Sequence, residues 1–150
     1  AELYALLSAI SGVPIKQNIA ITGSMDQNGN VQPIGGVNEK IEGFYQLCKL
    51  RGLDGTHGVI IPSRNMVNLM LRDEVVEAVK EGRFHIWAID RIEDGVELLF
   101  GIPAGEPQPD GSYPEGTLNY LVEKRLTEIR DALKEKKEEK ENNEKGDNKD

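Results

Sequence analysis

Three short apolar runs recur between segments of helical periodicity, and they constrain the fold more than any other feature of the chain. The runs are Ile19–Ile21, Val59–Ile61 and Phe84–Ile89. Short runs of β-branched and aromatic residues are typical of strands, whereas apolar residues at three- and four-residue steps are typical of helices. Strands and helices therefore alternate through residue 100, which predicts an α+β fold. A chain of 150 residues suffices for one core with appendages.

The helical segments are predicted from their apolar spacing and their end signals. A buried helix, apolar on nearly all sides, is expected from Ala1 to Ser11 and stops at Gly12. Its first turn has no capping residue, so we expect a longer polypeptide upstream. Asn28-Gly29 predicts the turn of a hairpin. Further helices are expected after Gly36 with an apolar face of Ile41, Phe44 or Tyr45, Cys48 and Leu50, briefly at Asn65–Leu71, at Asp73–Lys80, and after Asp90, which has capping-box spacing to Glu93.

The last third of the chain divides into three parts. Residues 101–116 are rich in proline and glycine, which predicts a surface loop after the domain of residues 1–100. Residues 117–133 have the apolar spacing of an amphipathic helix, whose apolar face must pack on this domain or on a partner. Residues 134–150 hold lysines and acidic residues with no apolar residue, which predicts a solvated, disordered tail.

The charge balance and the rare residue types narrow the function classes. Lysine and arginine total 18 against 26 acidic residues, and a net charge of -8 disfavours nonspecific binding to nucleic acid or anionic membranes. The single cysteine, Cys48, cannot form an internal disulfide, so a reducing, cytoplasmic environment is expected. No apolar stretch reaches the roughly 20 residues of a membrane span. Neither His57 nor His85 has triad or metal-ligand spacing, so we expect no metal or cofactor in this chain.

Lys40 is the strongest candidate for a chemical role. The run from Pro33 to Lys40 places this lysine in the first turn of a helix, behind Gly35 and Gly36. The positive end of a helix dipole, together with burial, favours the neutral amine that a general base must be. The two glycines would allow a close approach of the backbone. Taken without further information, a helical lysine is more often a solvated surface residue.

The segments Thr22–Lys40, Val59–Pro62 and Trp87–Ile92 resemble the proteolytic domain of Lon proteases, in order and at similar spacing. The similarity covers roughly residues 1 to 100. The segments Gly101–Gly105 and Tyr113–Gly116 look more like the Lon-like bacterial and archaeal relatives than the common bacterial enzyme.

The resemblance implies a serine-lysine dyad, in which a serine attacks the scissile carbonyl and a lysine accepts its proton. It assigns the lysine to Lys40, and it assigns Thr22 as the residue whose hydroxyl orients the lysine amine. The serine would lie a few residues upstream of Ala1, so this chain alone is expected to be inactive. Ser8 and Ser11 lie on the first helix, and Ser24 opens the hairpin, so none of the three is a substitute nucleophile.

The resemblance further implies unfolded polypeptides as substrates and a homo-oligomeric ring, for which six subunits are expected. ATP could act only through a linked or partner ATPase domain, because the GxxxxGK[ST] phosphate loop is absent from the sequence. An alternative from another class is a non-catalytic assembly or peptide-binding module of the same fold. In that case the helix from Leu118 to Leu133 would be its docking surface.

Overall fold

A computed structural model describes residues 1–146 and confirms the α+β fold. The strands are β1 (Ile19–Ile21), β2 (Ser24–Met25), β3 (Val31–Gln32), β4 (Gly58–Pro62) and β5 (His85–Ile89). The helices are α1 (Glu2–Ser11), α2 (Val37–Arg51), a 3-10 helix (Ser63–Asn68), α3 (Asp73–Lys80), α4 (Ile92–Phe100) and α5 (Leu118–Gly146). The three predicted apolar runs form one parallel sheet in the order β1-β4-β5, and β2 and β3 form the predicted hairpin.

The central strand β4 divides the core into two layers, because successive strand residues point to opposite faces of a sheet. All five of its residues are buried. Val59 and Ile61 pack with α2 and α3 in a cluster that includes Ile41 and Phe84. Ile60 packs on the opposite face with α1, α4 and the start of α5. This arrangement explains why β4 reads as an unbroken apolar run.

Two predicted helix faces differ from those observed. Helix α1 was expected to be buried, but Tyr4 is its only fully buried residue and Leu6 is 56% exposed. One side of α1 packs on α4 and α5, and the opposite side is left open within the described chain. In α2, Leu50 is 86% exposed because it follows Cys48 by two residues, which places it on the opposite side of the helix.

Two local features also differ from the predictions. The segment expected to be helical from Asn65 to Leu71 is instead a 3-10 helix that ends at Asn68. Helix α4 is capped by Asp94, not by the predicted pair of Asp90 and Glu93: a carboxylate oxygen of Asp94 accepts from the backbone N–H of Asp90 at 3.1 Å and of Arg91 at 2.9 Å. The Asp90 carboxylate instead accepts a hydrogen bond from Ser63.

Among the residues of α5 whose surroundings the structure describes, only those of the first turns pack on this domain. Leu118 is fully buried, and the backbone N–H groups of Leu118 and Asn119 donate to the carbonyls of Pro103 and Ala104 in the preceding loop. In the structure α5 continues through Lys134 to Gly146, where the sequence predicts a solvated, disordered tail. Lysine and glutamate have high helix propensity, and opposite charges four residues apart support a solvated helix. The rest of the predicted tail, residues 147–150, lies outside the described residues. No helix in the described part of the chain has the length and apolar character needed to cross a bilayer.

Candidate active site

A cleft of about 430 Å³ opens at the carboxyl ends of β1 and β5, between the hairpin and the first turn of α1. Its lining is mostly apolar, with polar atoms supplied by a few residues. These include Glu2, Thr22 and Ser24. Parallel strands end at the same edge of a sheet, so loops and helix ends converge there. The cleft is therefore shaped for an apolar ligand that meets a few hydroxyl and carboxyl groups.

The hairpin wall of the cleft is held by Asp26. One carboxylate oxygen accepts from the backbone N–H of Asn28 at 2.8 Å and of Asn30 at 3.0 Å. The other accepts from the Asn30 side chain at 2.8 Å and from Gln32 at 3.3 Å. These hydrogen bonds, those from Asn30 first, hold the pKa of the Asp26 carboxyl below its usual range. The Asp26 carboxylate therefore fixes the turn between β2 and β3, and its lone pairs are engaged in structure.

Tyr4 closes the floor of the cleft. Its hydroxyl donates to the carbonyl of Ile92 at 2.8 Å. Burial, reinforced by the charges of Asp94 and Glu93, raises the pKa of this phenol well above its usual range, so it stays neutral. The ring packs against Gly95 of α4 so closely that a Cβ at that position would overlap the hydroxyl oxygen. Tyr4 is therefore a structural hydrogen-bond donor that joins α1 to α4.

Thr22 and Lys40 lie at the same edge of the sheet, but only Thr22 lines the cleft. Thr22 directly follows β1, and its backbone N–H donates to the carbonyl of Ile60 at 3.0 Å. Lys40 lies in the first turn of α2, where its backbone N–H donates to the carbonyl of Gly36 at 3.2 Å. The Lys40 side chain is exposed, so the expected burial is not present in the described chain. The cleft thus holds one of the two predicted site residues.

A buried asparagine that sequence reasoning missed holds the segment leading to Lys40. Asn65, only 3% exposed, lies in the 3-10 helix after β4. Its side-chain oxygen accepts from the backbone N–H of Ile34 at 2.9 Å, and its amide donates to the Ile34 carbonyl at 2.9 Å. Nearby, the Asn38 side chain bonds the backbone of Asn68 and Met70. The start of α2 is therefore fixed to the end of β4, and an asparagine in a short polar stretch after a strand gives no sequence signal for this role.

A model of the Lon protease (S16) C-terminal proteolytic domain matches residues 1–101 of the chain. The chain belongs to this family. The resemblance seen in the sequence is thereby confirmed.

The Lon relatives include bacterial and archaeal proteins. A protein named putative Lon protease homolog in Escherichia coli (strain K12) is 55% identical over 102 residues, which are 68% of this chain and 17% of that protein. A second of that name, from Haemophilus influenzae, is 45% identical over 126 residues, 84% of this chain and 21% of that protein. An archaeal Lon protease of Archaeoglobus fulgidus is 37% identical over 93 residues, 62% of this chain and 13% of that protein.

The chain spans about a fifth or less of the length of these curated relatives. The Haemophilus match is longer than the family match, so it includes part of the segment after Gly101. The loop after α4 and the start of α5 are therefore shared at least in part with a Lon-like bacterial relative.

Of the serines, histidines and cysteine outside the cleft, Ser8, Ser11 and His85 are hydrogen-bonded to the backbone of this Lon-family domain, and Cys48 is buried. Near the end of α1, Ser8 donates to the carbonyl of Val13 at 2.6 Å, and Ser11 accepts from the Val13 N–H at 3.2 Å. His57 lies 2.9 Å from Asp54, and a His85 ring nitrogen lies 2.8 Å from the Gly55 carbonyl. Cys48 is buried, and burial raises the pKa of its thiol. Among the described residues, no group of three potential ligands could hold a metal ion.

Only one of the two glycines before Lys40 needs to be glycine. Gly36 has φ +67°, a left-handed conformation that costs other residues about 1 kcal/mol. At Gly35 a Cβ would meet no atom within 4 Å, so the expected close backbone approach is not present. We expect Gly36→Ala to lower the free energy of unfolding by about 1 kcal/mol, and Gly35→Ala to change it by about 0.5 kcal/mol or less. Urea unfolding of both variants tests this difference, and equal effects would contradict it.

Proposed function

We propose that this Lon-family domain supplies the lysine of a serine-lysine dyad, with Lys40 as the general base and Thr22 as the residue that orients its amine. The position of the start of α1 carries the proposal. Ala1 and Glu2 line the same cleft as Thr22 and Ser24. A serine joined a few residues upstream of Ala1 in the parent polypeptide would therefore enter this cleft beside Thr22. Without that serine, the chain by itself is expected to be inactive.

The chemistry would be acyl transfer through a covalent intermediate. The serine hydroxyl attacks the scissile carbonyl while the neutral amine of Lys40 accepts the hydroxyl proton. The resulting ammonium returns a proton to the leaving amine as the carbon–nitrogen bond breaks, which leaves an ester on the serine. Water then hydrolyses that ester, with the lysine again accepting a proton. The apolar lining of the cleft would hold side chains of the peptide.

Two features of the chain position Lys40 for this role. The first is its place in the first turn of α2, a 15-residue helix that begins at Val37. The second is the anchor of Asn65, which fixes the start of α2 at the cleft edge of the sheet. A serine-bearing segment upstream of Ala1 that covers Lys40 would exclude water from its amine.

The remaining parts of the proposal concern the parent protein. Its substrates would be unfolded or damaged proteins, and it would act in the cytoplasm as a homo-oligomeric ring. ATP hydrolysis would come from a linked or partner domain. These points rest on the family, whose members similar to this chain include Lon proteases of archaea.

The alternative, a non-catalytic assembly or peptide-binding module, is favoured by one observation. Helix α5 leaves an apolar stripe open beyond its packed first turns: Leu126 is 50% exposed, Ile129 40% and Leu133 63%. Such a stripe suits contact with another helix. The two functions differ in whether a serine reacts.

A serine-directed fluorophosphonate separates these two functions. The parent protein, with the sequence upstream of Ala1, is incubated with the probe, and the labelled residue is located by mass spectrometry. The peptidase proposal predicts one labelled serine upstream of Ala1, and loss of labelling in Lys40→Met. Absence of labelling in a folded parent protein, shown by circular dichroism, would contradict the peptidase and support the module.

A further inference from the structure

Strand β5 has one unpaired edge in the described part of the chain. The sheet order β1-β4-β5 gives β5 a single neighbour, β4. The backbone N–H of His85 donates to the carbonyl of His57 at 2.9 Å, on the edge that faces β4. The pairing of β5 with β4 then continues without a break as far as Ile89. Because backbone groups alternate in direction along a strand, Ile86 and Ala88 direct their N–H and C=O groups away from β4.

The far end of this edge already pairs with another segment. The backbone N–H of Val31 donates to the carbonyl of Asp90 at 2.7 Å, on the edge that faces away from β4. The backbone N–H of Asp90 donates to the side-chain carboxylate of Asp94 at 3.1 Å. The four backbone groups of Ile86 and Ala88 are therefore the part of the edge left open. Natural edges are commonly protected by proline, lysine or a bulge, and the sequence His-Ile-Trp-Ala-Ile has neither proline nor lysine.

An open groove of about 630 Å³ runs beside this edge. Its apolar wall includes Trp87 and Leu98, and its charged residues are Asp94 and Glu97 on α4 and Lys16 on the loop after α1. Glu97 is exposed and has no capping role, unlike Asp94. Two carboxylates against one ammonium make the groove electronegative.

We propose that the free edge of β5 binds an extended polypeptide segment that carries a basic side chain. The segment adds one strand to the sheet through the N–H and C=O groups of Ile86 and Ala88, which is the chemistry of β-strand addition. Its basic side chain meets Glu97, and its apolar side chains pack against Trp87. A peptide with an acidic residue at that position would meet two like charges and bind less well.

The test uses the chain as it is, with no peptidase activity required, so it is independent of the proposed function. The probe is a synthetic ten-residue peptide that alternates threonine and valine around one central lysine. One counterpart has an N-methylated backbone, and another has glutamate in place of lysine. Trp87 is the only tryptophan of the chain, so its fluorescence reports on the groove. Amide exchange measured by NMR reports on the edge itself.

We expect the lysine peptide to shift the Trp87 emission and, at saturation, to slow amide exchange at Ile86 and Ala88 by at least about tenfold. The amide of Trp87, directed toward β4, serves as the internal control. The N-methylated peptide should not bind. The glutamate peptide should bind about fivefold more weakly, and Glu97→Lys should weaken the lysine peptide by about fivefold, whereas the matched loop variant Glu115→Lys should not.

Unchanged exchange at Ile86 and Ala88 with saturating lysine peptide would overturn the proposal. Equal binding of the N-methylated peptide would overturn it as well, because strand addition needs the backbone donors. Protection that rises with protein concentration in the absence of peptide would assign the edge to a second copy of this chain, and would also overturn it.

Discussion

Replacing Lys40 by methionine in the full-length parent protein is expected to lower kcat for peptide hydrolysis by about 10⁴-fold. Methionine has a similar length but cannot accept the proton of the serine hydroxyl. Because the Lys40 side chain is exposed, we expect the free energy of unfolding to change by no more than about 0.5 kcal/mol. Steady-state hydrolysis of a fluorogenic peptide measures the first quantity, and urea unfolding measures the second.

Two further variants make the Lys40 result specific. Lys40→Arg keeps the positive charge but has no proton-accepting form in a protein, so it should be as inactive as Lys40→Met. Lys49→Met removes another exposed lysine of α2, one that pairs with Glu74 at 2.7 Å, and should leave kcat unchanged. Substantial turnover in Lys40→Met, or an equal loss in Lys49→Met, would show that Lys40 is not the base.

Gly58→Ala is expected to be the most destabilising single substitution in the sheet, at about 3 kcal/mol. Gly58 begins β4, where β4 and β5 pass in close contact. An added Cβ would lie 2.5 Å from the carbonyl oxygen of His85 and 2.5 Å from the Trp87 ring. The backbone oxygen cannot move without breaking the pairing of β4 with β5, so the strain cannot be relieved by a side-chain rotation.

The matched control is Gly43→Ala. Gly43 lies in the interior of α2, and a Cβ there would meet no neighbouring atom within 4 Å. Alanine loses less conformational entropy than glycine in a helix, so this variant should be more stable by about 0.5–1 kcal/mol. Chemical denaturation of both variants gives the comparison. Equal changes in the free energy of unfolding for the two variants would contradict the close contact between β4 and β5 at Gly58.

The parts of the fold that could be predicted from sequence are those set by local pattern. The three apolar runs became β1, β4 and β5, because short β-branched segments have few other stable arrangements in a mixed chain. Helices α1, α2 and α4 end at Gly12, Gly52 and Gly101, because glycine readily adopts the positive φ angles found at these ends. Local propensity also explains the extension of α5, where the lack of apolar residues indicated disorder although lysine and glutamate favour a helix.

The features that escaped prediction depend on contacts between distant segments. The side chain of Asn65 bonds the backbone of Ile34, 31 positions earlier, and Tyr4 bonds Ile92, 88 positions later. Neither contact leaves a periodic or spacing signal in the sequence. The open side of α1 and the place of Leu50 likewise depend on which neighbours pack against a helix, which apolar content alone does not determine.

The candidate site could be predicted only in part, and for a related reason. Lys40 and Thr22 were assigned through the resemblance to Lon proteases, since a lysine at a helix start and a threonine after a strand are common in many folds. The family is confirmed, whereas the roles of the two residues stay predictions. The cleft beside Thr22 exists because the hairpin, α1 and α4 meet there, and Asp26 and Tyr4 hold those elements in place.

A crystal structure of the parent protein with its reactive serine phosphonylated is the most direct test of the proposed dyad. With Lys40 as the base, the modified serine should lie in the cleft lined by Thr22, upstream of Ala1 in sequence. The Lys40 amine should lie within about 3.2 Å of both the serine Oγ and the Thr22 hydroxyl. A modified serine outside this cleft, or a Lys40 amine that remains in solvent while another group bonds the serine, would contradict the proposed dyad.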